Sequence, residues 1–314
     1  MLKICNTALF ICLIALPLDA QQAPIAIVHA RVIDGRGGVA LPDTTVIVRG
    51  ALIEAVGPST AITVPPGSRV IDASGKSVIP GLADMHVHLV GGWEGDHIDL
   101  LGYERYLRSL LYAGITTVLD TGNVQPYVLQ MRQNAASGRL LAPRIYCAGA
   151  LIDGPDAEWP DISYSLSSTS QIPMVVKRQK SAGVDVIKAY GGLSVQMVMQ
   201  LAREAKKAGL GVFIDHGSRN GSMDLMNAGI SAFAHLSVSP LSDEAVDLAK
   251  AKQVAFITTL SAFESISGSR LSNLDFLRDP LIANTNSPSN LEASGSQRQC
   301  EETMGQWAAG GGGN

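Results

Sequence analysis

From residue 78 onward the chain repeats one pattern, a short β-branched run followed by a stretch with helical spacing. The runs are Ile115 to Leu119, Arg144 to Cys147, Val184 to Ala189, Gly211 to Ile214, Ile230 to Ala234 and Val254 to Thr259. With the segment ending at His88 they make seven candidate strands. Between them, residues 98–113 set Leu100, Leu107, Leu110 and Leu111 on one helical face. Residues 195–208 follow Ser194, a residue type that caps helices, and repeat Val195, Val198, Met199, Ala202 and Ala205 at helical spacing. Residues 243–252 begin with Asp243 and Glu244 and end with Lys250 and Lys252, the charge order that a helix dipole favours. Strands that alternate with helices of this length pair in parallel through right-handed crossovers. The expected fold class is therefore α/β, a TIM-like (β/α) barrel with about seven strands over residues 80–282.

The flanks read differently. Residues 21–79 carry short runs (25–28, 30–33, 44–48, 52–57 and 69–72) punctuated by Gly and Pro, which predicts a small antiparallel, β-sandwich-like domain. Residues 1–20 combine Lys3, the apolar stretch Ala8 to Leu18 and small residues before Gln21. That is the pattern of a secretory signal peptide, and it predicts export to the periplasm or medium. Residues 283–314 are polar and unpatterned and end in a glycine run, which predicts an irregular tail. No eighth strand is visible, so the barrel is expected to be incomplete and truncated at its carboxyl end.

Composition excludes some classes of function. A net charge of -4 provides no basic footprint for nucleic acid. No spanning segment remains once the leader is removed, so no membrane partner is expected. Four cysteines, two of them in the leader, make no disulfide framework; 46% hydrophobic residues must stabilise the chain through its core. Oligomeric state stays open, a homo-oligomer included.

Chemistry concentrates in a few residues. The chain has six histidines, and four of them, His86, His88, His216 and His235, sit at the carboxyl ends of candidate strands. That rim is where barrel enzymes place their reactive groups. His86 and His88 are two apart, so on a strand both imidazoles face the same way and can reach one metal ion. Taken alone, such a pair is as often two ordinary strand histidines. Lys188 ends the apolar run Val184 to Ile187, where an unpaired ammonium is costly to bury. It could pair with an acid, snorkel to the rim, or react with carbon dioxide to form an anionic carbamate. His29 on the amino-terminal strands is expected to be structural, and His97, near Trp93, Glu94 and Asp96, a solvated loop residue.

Residues 79–89, Ile-Pro-Gly-Leu-Ala-Asp-Met-His-Val-His-Leu, resemble the entry strand of the amidohydrolase superfamily. Val186-Ile187-Lys188, Asp215-His216-Gly217 and Phe233-Ala234-His235 are similar to its later ligand strands, and Leu151 to Pro155 with Trp159-Pro160 resembles a loop of the imidazolonepropionase-like and prolidase-like branch. The resemblance implies two divalent metal ions, zinc being the expected metal, held by His86, His88, Lys188, His216 and His235, with Lys188 carboxylated as the bridging ligand. Lys188, His216 and His235 would be the catalytic residues. It further implies hydrolysis of an amide, dipeptide or cyclic amide through a metal-bridging hydroxide, with a small-molecule or dipeptide substrate.

One departure tempers this. Members of the superfamily carry an aspartate, usually in Gly-Thr-Asp, that handles the proton of the leaving nitrogen, and these 314 residues contain no such motif. Asp275 and Asp279 lie in a segment that reads as helix or loop. Losing a general acid-base group costs about 10²- to 10⁴-fold in rate. A truncated, weak or inactive relative is therefore the first alternative. A mononuclear deaminase or imidazolone hydrolase is the second, although a one-metal site has no use for a bridging lysine.

Overall fold

The computed structural model describes residues 23–89, 103–215, 221–235, 240–266 and 275–283. The expected signal peptide, His97, His216 and the tail beyond residue 283 lie outside the described residues. The chain divides into two compact units, one ending at Pro80 and the other beginning at Gly81.

The amino-terminal unit contains β1 (Ile25–Val32), β2 (Leu41–Arg49), β3 (Leu52–Pro58), β4 (Arg69–Asp72) and β5 (Ser77–Val78). β1, β2 and β3 form an antiparallel meander, as their short connections require. The expectation of a purely antiparallel unit is corrected at β4 and β5, which both pair with β1 in parallel. The chain leaves β3 through residues 59–68, which lets β4 enter beside β1 in the same direction. The described strands thus make one mixed sheet in the order β3-β2-β1-β4, with β5 beside β1.

The second unit is a series of strand-helix repeats. β6 (Leu82–Val87), α1 (Tyr103–Tyr112), β7 (Ile115–Asp120), α2 (Gln125–Ala136) and β8 (Arg144–Cys147) come first. β9 (Leu151–Asp153), β10 (Ser163–Ser165), α3 (Ile172–Ala182), β11 (Val186–Ala189) and α4 (Val195–Lys207) follow. The series continues through β12 (Gly211–Asp215), α5 (Ser222–Ala228), β13 (Ala232–Ala234), α6 (Asp243–Lys252), β14 (Ala255–Ile257) and α7 (Leu260–Ile266). Every pairing among these strands is parallel, in the orders β6-β7-β8 and β10-β9-β11-β12-β13-β14. The two runs meet at Cys147, whose carbonyl accepts the Asp185 N–H at 2.9 Å and whose own N–H donates to the Asp185 carboxylate, also at 2.9 Å. β9 and β10 lie within a segment that reads as loop in the sequence, because three residues are too few to show a period.

Local chemistry explains the helix boundaries. Ser194 and Ser242 accept the N–H groups of Met197 and Ala245 and so cap α4 and α6. α3 ends at Gly183, at φ 82°, where a residue without Cβ turns left-handed at no steric cost. The core of this unit lies between the sheet and its helices. Ile187, Val198, Leu201, Ile214 and Phe233 are all fully buried there. A second cluster, including Leu107, Val118, Val128 and Ile145, fills the space between β6-β7-β8 and the helices α1 and α2.

Phe233 is at 0% exposure, so truncating it leaves a cavity that close-packed neighbours cannot fill. Phe233→Ala is expected to lower the unfolding free energy by about 3–5 kcal/mol. Urea titration followed by far-ultraviolet circular dichroism checks this.

Candidate metal centre

The sheet brings chemically active groups to the carboxyl ends of its strands. His86 lies near the end of β6 and His88 just past it. Lys188 is the third residue of β11, and His235 directly follows β13. The ring of His86 lies 5.3 Å from that of His88 and 4.5 Å from that of His235, measured between centroids. Three histidines from two strands of the unit, one at position 86 and another 149 residues later, thus form a single cluster.

Their hydrogen bonding differs in a telling way. Both ring nitrogens of His86 are buried and have no hydrogen-bond partner among the described residues. Such a ring costs free energy unless something outside the described set binds it. Nδ1 of His88 donates to the Gly122 carbonyl at 2.7 Å, which leaves Nε2 as the nitrogen with a lone pair to offer. Nε2 of His235 faces the Asp215 carboxylate at 3.3 Å, and its Nδ1 lies 3.2 Å from the Thr259 hydroxyl. His235 adopts φ 70°, a left-handed conformation that is uncommon for a non-glycine residue and aims its ring differently from a continuing strand.

Lys188 lies under this cluster. Its side chain is at 0% exposure and Nζ has no hydrogen-bond partner among the described residues. Nζ sits 4.9 Å from the centroid of the Tyr190 ring. Burial strips water from the ammonium and lowers its pKa to about 8, while Asp215 and then Glu158 hold it up. His86 is pushed far down, by burial first and then by the charges of Lys188, His235 and His88. His88 is also lowered by burial, against the bond to Gly122. Both imidazoles are consequently neutral near pH 7, the form that ligates a cation.

Aspartates complete the rim, and most of them escaped the reading of the sequence. β7, β9 and β12 each end on one: Asp120, Asp153 and Asp215. Asp120 is fully buried and accepts N–H groups from Leu89 at 2.8 Å, Gly122 at 3.1 Å and the Asn123 side chain at 2.7 Å. Burial raises its carboxyl to about 7 despite these donors. Asp153, at 1% exposure, ties Gly154, Glu158 and Gly192 through their backbone N–H groups at 2.8, 3.0 and 2.9 Å. It thereby joins the loops that follow β9 and β11. A Cβ on Gly154 would lie 2.2 Å from the Gly192 carbonyl oxygen, so only glycine permits the approach. The signal that could have found these residues is an apolar run ending in Asp with Gly within two positions, as in Leu119-Asp120-Thr121-Gly122 and Ile152-Asp153-Gly154.

The other singled-out histidine in the described residues, His29, lies in the amino-terminal sheet and pairs with Asp43 at 2.8 Å. Cys147 is buried and unpaired with another cysteine. Among the described residues, no helix is long and apolar enough to cross a membrane.

Comparison with known proteins identifies the family. The pattern of the amidohydrolase family matches residues 77–251, more than half of the chain, and the chain belongs to that family. Members of the family are hydrolases that act on carbon-nitrogen bonds. The chain is 33% identical to an enamidase of Eubacterium barkeri over 98 residues, which are 31% of this chain and 24% of that enzyme. It is 37% identical to an imidazolonepropionase of Deinococcus radiodurans over 75 residues, 24% of this chain and 17% of the relative. The chain therefore matches less than a quarter of the length of these two curated relatives. In fold it is similar to a crystal structure described as a putative prolidase from Bifidobacterium longum, with a TM-score of 0.67 and 27% identity. That likeness covers 90% of this chain and 72% of the other. Solved members of this kind place the second unit among folds of the TIM-barrel type.

The raised pKa of Asp120 has a sign that can be measured. The folded state keeps its proton up to about pH 7, whereas the unfolded chain releases it near pH 3.8. Stability from this group is present below the lower value and falls as pH rises between the two. Relative to Asp120→Asn, the wild-type protein is expected to lose stability from pH 4 to pH 7 and then level off. Urea midpoints at pH 4, 5.5, 7 and 8.5 check the trend, and a difference that rises with pH would contradict it.

Proposed function

We propose that this chain is a metal-dependent amidohydrolase that cleaves an amide, dipeptide or cyclic amide. The observation that carries the proposal is His86: a buried imidazole whose two nitrogens have no partner among the described residues, set between His88 and His235, in the same site as a buried lysine whose nitrogen likewise has none among them. The fit to a cation is a matter of donor chemistry. Neutral imidazoles suit zinc and related ions, and a set of nitrogens without partners is what ligands look like before their ion is counted. His86, His88, Lys188, His216 and His235 would hold two divalent cations, with Lys188 as its carbamate. When bound, the cations would supply Lewis-acid polarisation of a carbonyl and acidification of water.

The chain's own groups have definite tasks in this reading. With a pKa near 8, Lys188 exposes a sizeable neutral fraction around neutral pH. The ammonium first gives up one proton to solvent; the free amine then forms a bond to the carbon of carbon dioxide and nitrogen releases a second proton to solvent, so that the buried cation becomes an anionic carbamate. His88 is oriented by Gly122, so its ring needs no reorganisation to bind. The Asp215 carboxylate lies 3.3 Å from Nε2 of His235, which places an acid beside that ring at the edge of the site. The Asp153 tie holds the loop carrying Glu158 and Trp159 at the rim, and Trp159 hydrogen-bonds Tyr190, whose ring covers Lys188. Loops at this rim select the substrate and exclude water.

The same reading takes β6, β7, β8, β11, β12, β13 and β14 as the seven strands of an incomplete TIM-like barrel, the amino-terminal unit as a sandwich-like domain, and the enzyme as exported. Its substrate would be a small molecule or dipeptide, and a homo-oligomer is compatible with it.

Metal analysis of the purified protein is expected to find about two ions per chain. Lys188→Ala is expected to bind fewer ions and to lose at least about 10²-fold in turnover of an N-acyl amino acid or dipeptide panel. Unchanged stoichiometry in that variant would remove Lys188 from the ligand set. Ammonia release from an aminopurine without any amide cleavage would favour the mononuclear deaminase instead.

A further inference from the structure

The mechanism leaves one buried acid without a task. Asp120 is at 0% exposure, and its two oxygens take three N–H donors from two different loops. Leu89 belongs to the segment that follows β6 and comes directly after His88. Gly122 and Asn123 belong to the segment that follows β7. A carboxylate in this position fixes the spacing of the two segments, because each donor is held at hydrogen-bond length in a dry environment.

The consequence appears one peptide further on. The N–H of Gly122 is held by Asp120, and the carbonyl of the same residue accepts Nδ1–H of His88 at 2.7 Å. Gly122 stands at φ 155°, and a Cβ there would lie 2.2 Å from Leu151 Cδ2, so the backbone is packed where only glycine fits. The next backbone groups are also tied. Thr121 N–H donates to the Val87 carbonyl at 3.0 Å, and Asn123 N–H to the Gly149 carbonyl at 2.9 Å. The Gly122 carbonyl therefore cannot turn away without breaking several bonds at once.

We infer that Asp120 is a positioning residue which, through Gly122, selects the Nδ1–H tautomer of His88 and so dedicates Nε2 to a ligand. The hydrogen bond made by one ring nitrogen decides which nitrogen is free for a cation. Without it the imidazole distributes its proton over both nitrogens and rotates about its side-chain torsions. Asn at position 120 keeps the shape but offers one acceptor oxygen and an amide that opposes the Gly122 or Leu89 N–H donors. The inference rests on the proposed metal site for its purpose but not for its geometry.

The test uses the full chain labelled with ¹⁵N-histidine, with His88 assigned by its loss in His88→Asn. Long-range ¹H–¹⁵N correlation at pH 8 reads the tautomer directly. Wild-type His88 is expected to be protonated at Nδ1, whether or not Nε2 carries a metal. In Asp120→Asn, with native circular dichroism, the Nε2–H tautomer is expected to rise to a comparable share, and Co²⁺ is expected to bind about 10- to 100-fold more weakly. Should that variant not fold, Asp120→Glu, which keeps a carboxylate but displaces its oxygens from the Gly122 and Leu89 N–H groups, takes its place under the same criteria. Nε2–H in the wild type, or a wild-type tautomer and unchanged Co²⁺ affinity in a folded variant, overturns the inference. Absence of Co²⁺ binding by the wild type would overturn the proposed function, while the tautomer alone would still decide the role of Asp120.

Discussion

A buried amine nitrogen with no hydrogen-bond partner among the described residues is the tightest constraint in this molecule. Lys188 is that group, fully buried on a central strand of the parallel sheet. An isolated ammonium in such a place is strongly disfavoured, so the surroundings must either neutralise it or compensate it. Both tendencies are visible. Burial moves its pKa down to about 8, and the carboxylates of Asp215 and Glu158 resist the shift. The neighbouring imidazoles of His86 and His88 stay neutral chiefly because burial strips water from their charged forms, and the charge of Lys188 adds to this. Chemistry that converts the amine to an anion and adds cations would relieve every one of these tensions together.

The rest of the rim is arranged by buried aspartates. Asp120 joins the segments after β6 and β7 and Asp153 joins those after β9 and β11, while the half-buried Asp185, just before the amino end of β11, ties that strand to β8. Each takes backbone N–H groups that would otherwise be orphaned where strands end and loops begin. A parallel sheet needs such devices more than a meander does. Its strands are joined by long crossovers, so adjacent loops share no short covalent link and must be tied through side chains. The site is consequently held by rigid elements on one side and by carboxylate ties on the other.

Much of the architecture was legible beforehand. Hydrophobic periodicity located α4 and α6 and the strands around them, since burial on one face imposes a period that depends only on local geometry. The Ser194 cap of α4 and the charged ends of α6 were visible because they too are local, whereas the Ser242 cap of α6 emerged only from the structure. The parallel pairing of β4 and β5 with β1 was not legible, because strand direction depends on the path of the connection and leaves no period. β9 and β10 were missed because three residues cannot display alternation. In the site, His86, His88, Lys188 and His235 were named from residue type and position at strand ends. Asp120 and Gly122 were not, because an apolar run ending in Asp with a Gly close behind does not by itself tell which backbone groups the carboxylate will hold.

The amino-acid sequence by itself determined the alternation of strands and helices, the run of ligand-type residues at strand ends and the place of a lysine at the end of a run of branched aliphatics. These are local properties, set by side-chain type and spacing along the chain. Only the tertiary structure decided that the His86 and His235 rings lie 4.5 Å apart, and that Gly122 holds His88 by one nitrogen. It also decided that one aspartate takes donors from two loops. Distances between residues far apart in sequence follow from how whole strands pack in register, and no short stretch of chain contains that information.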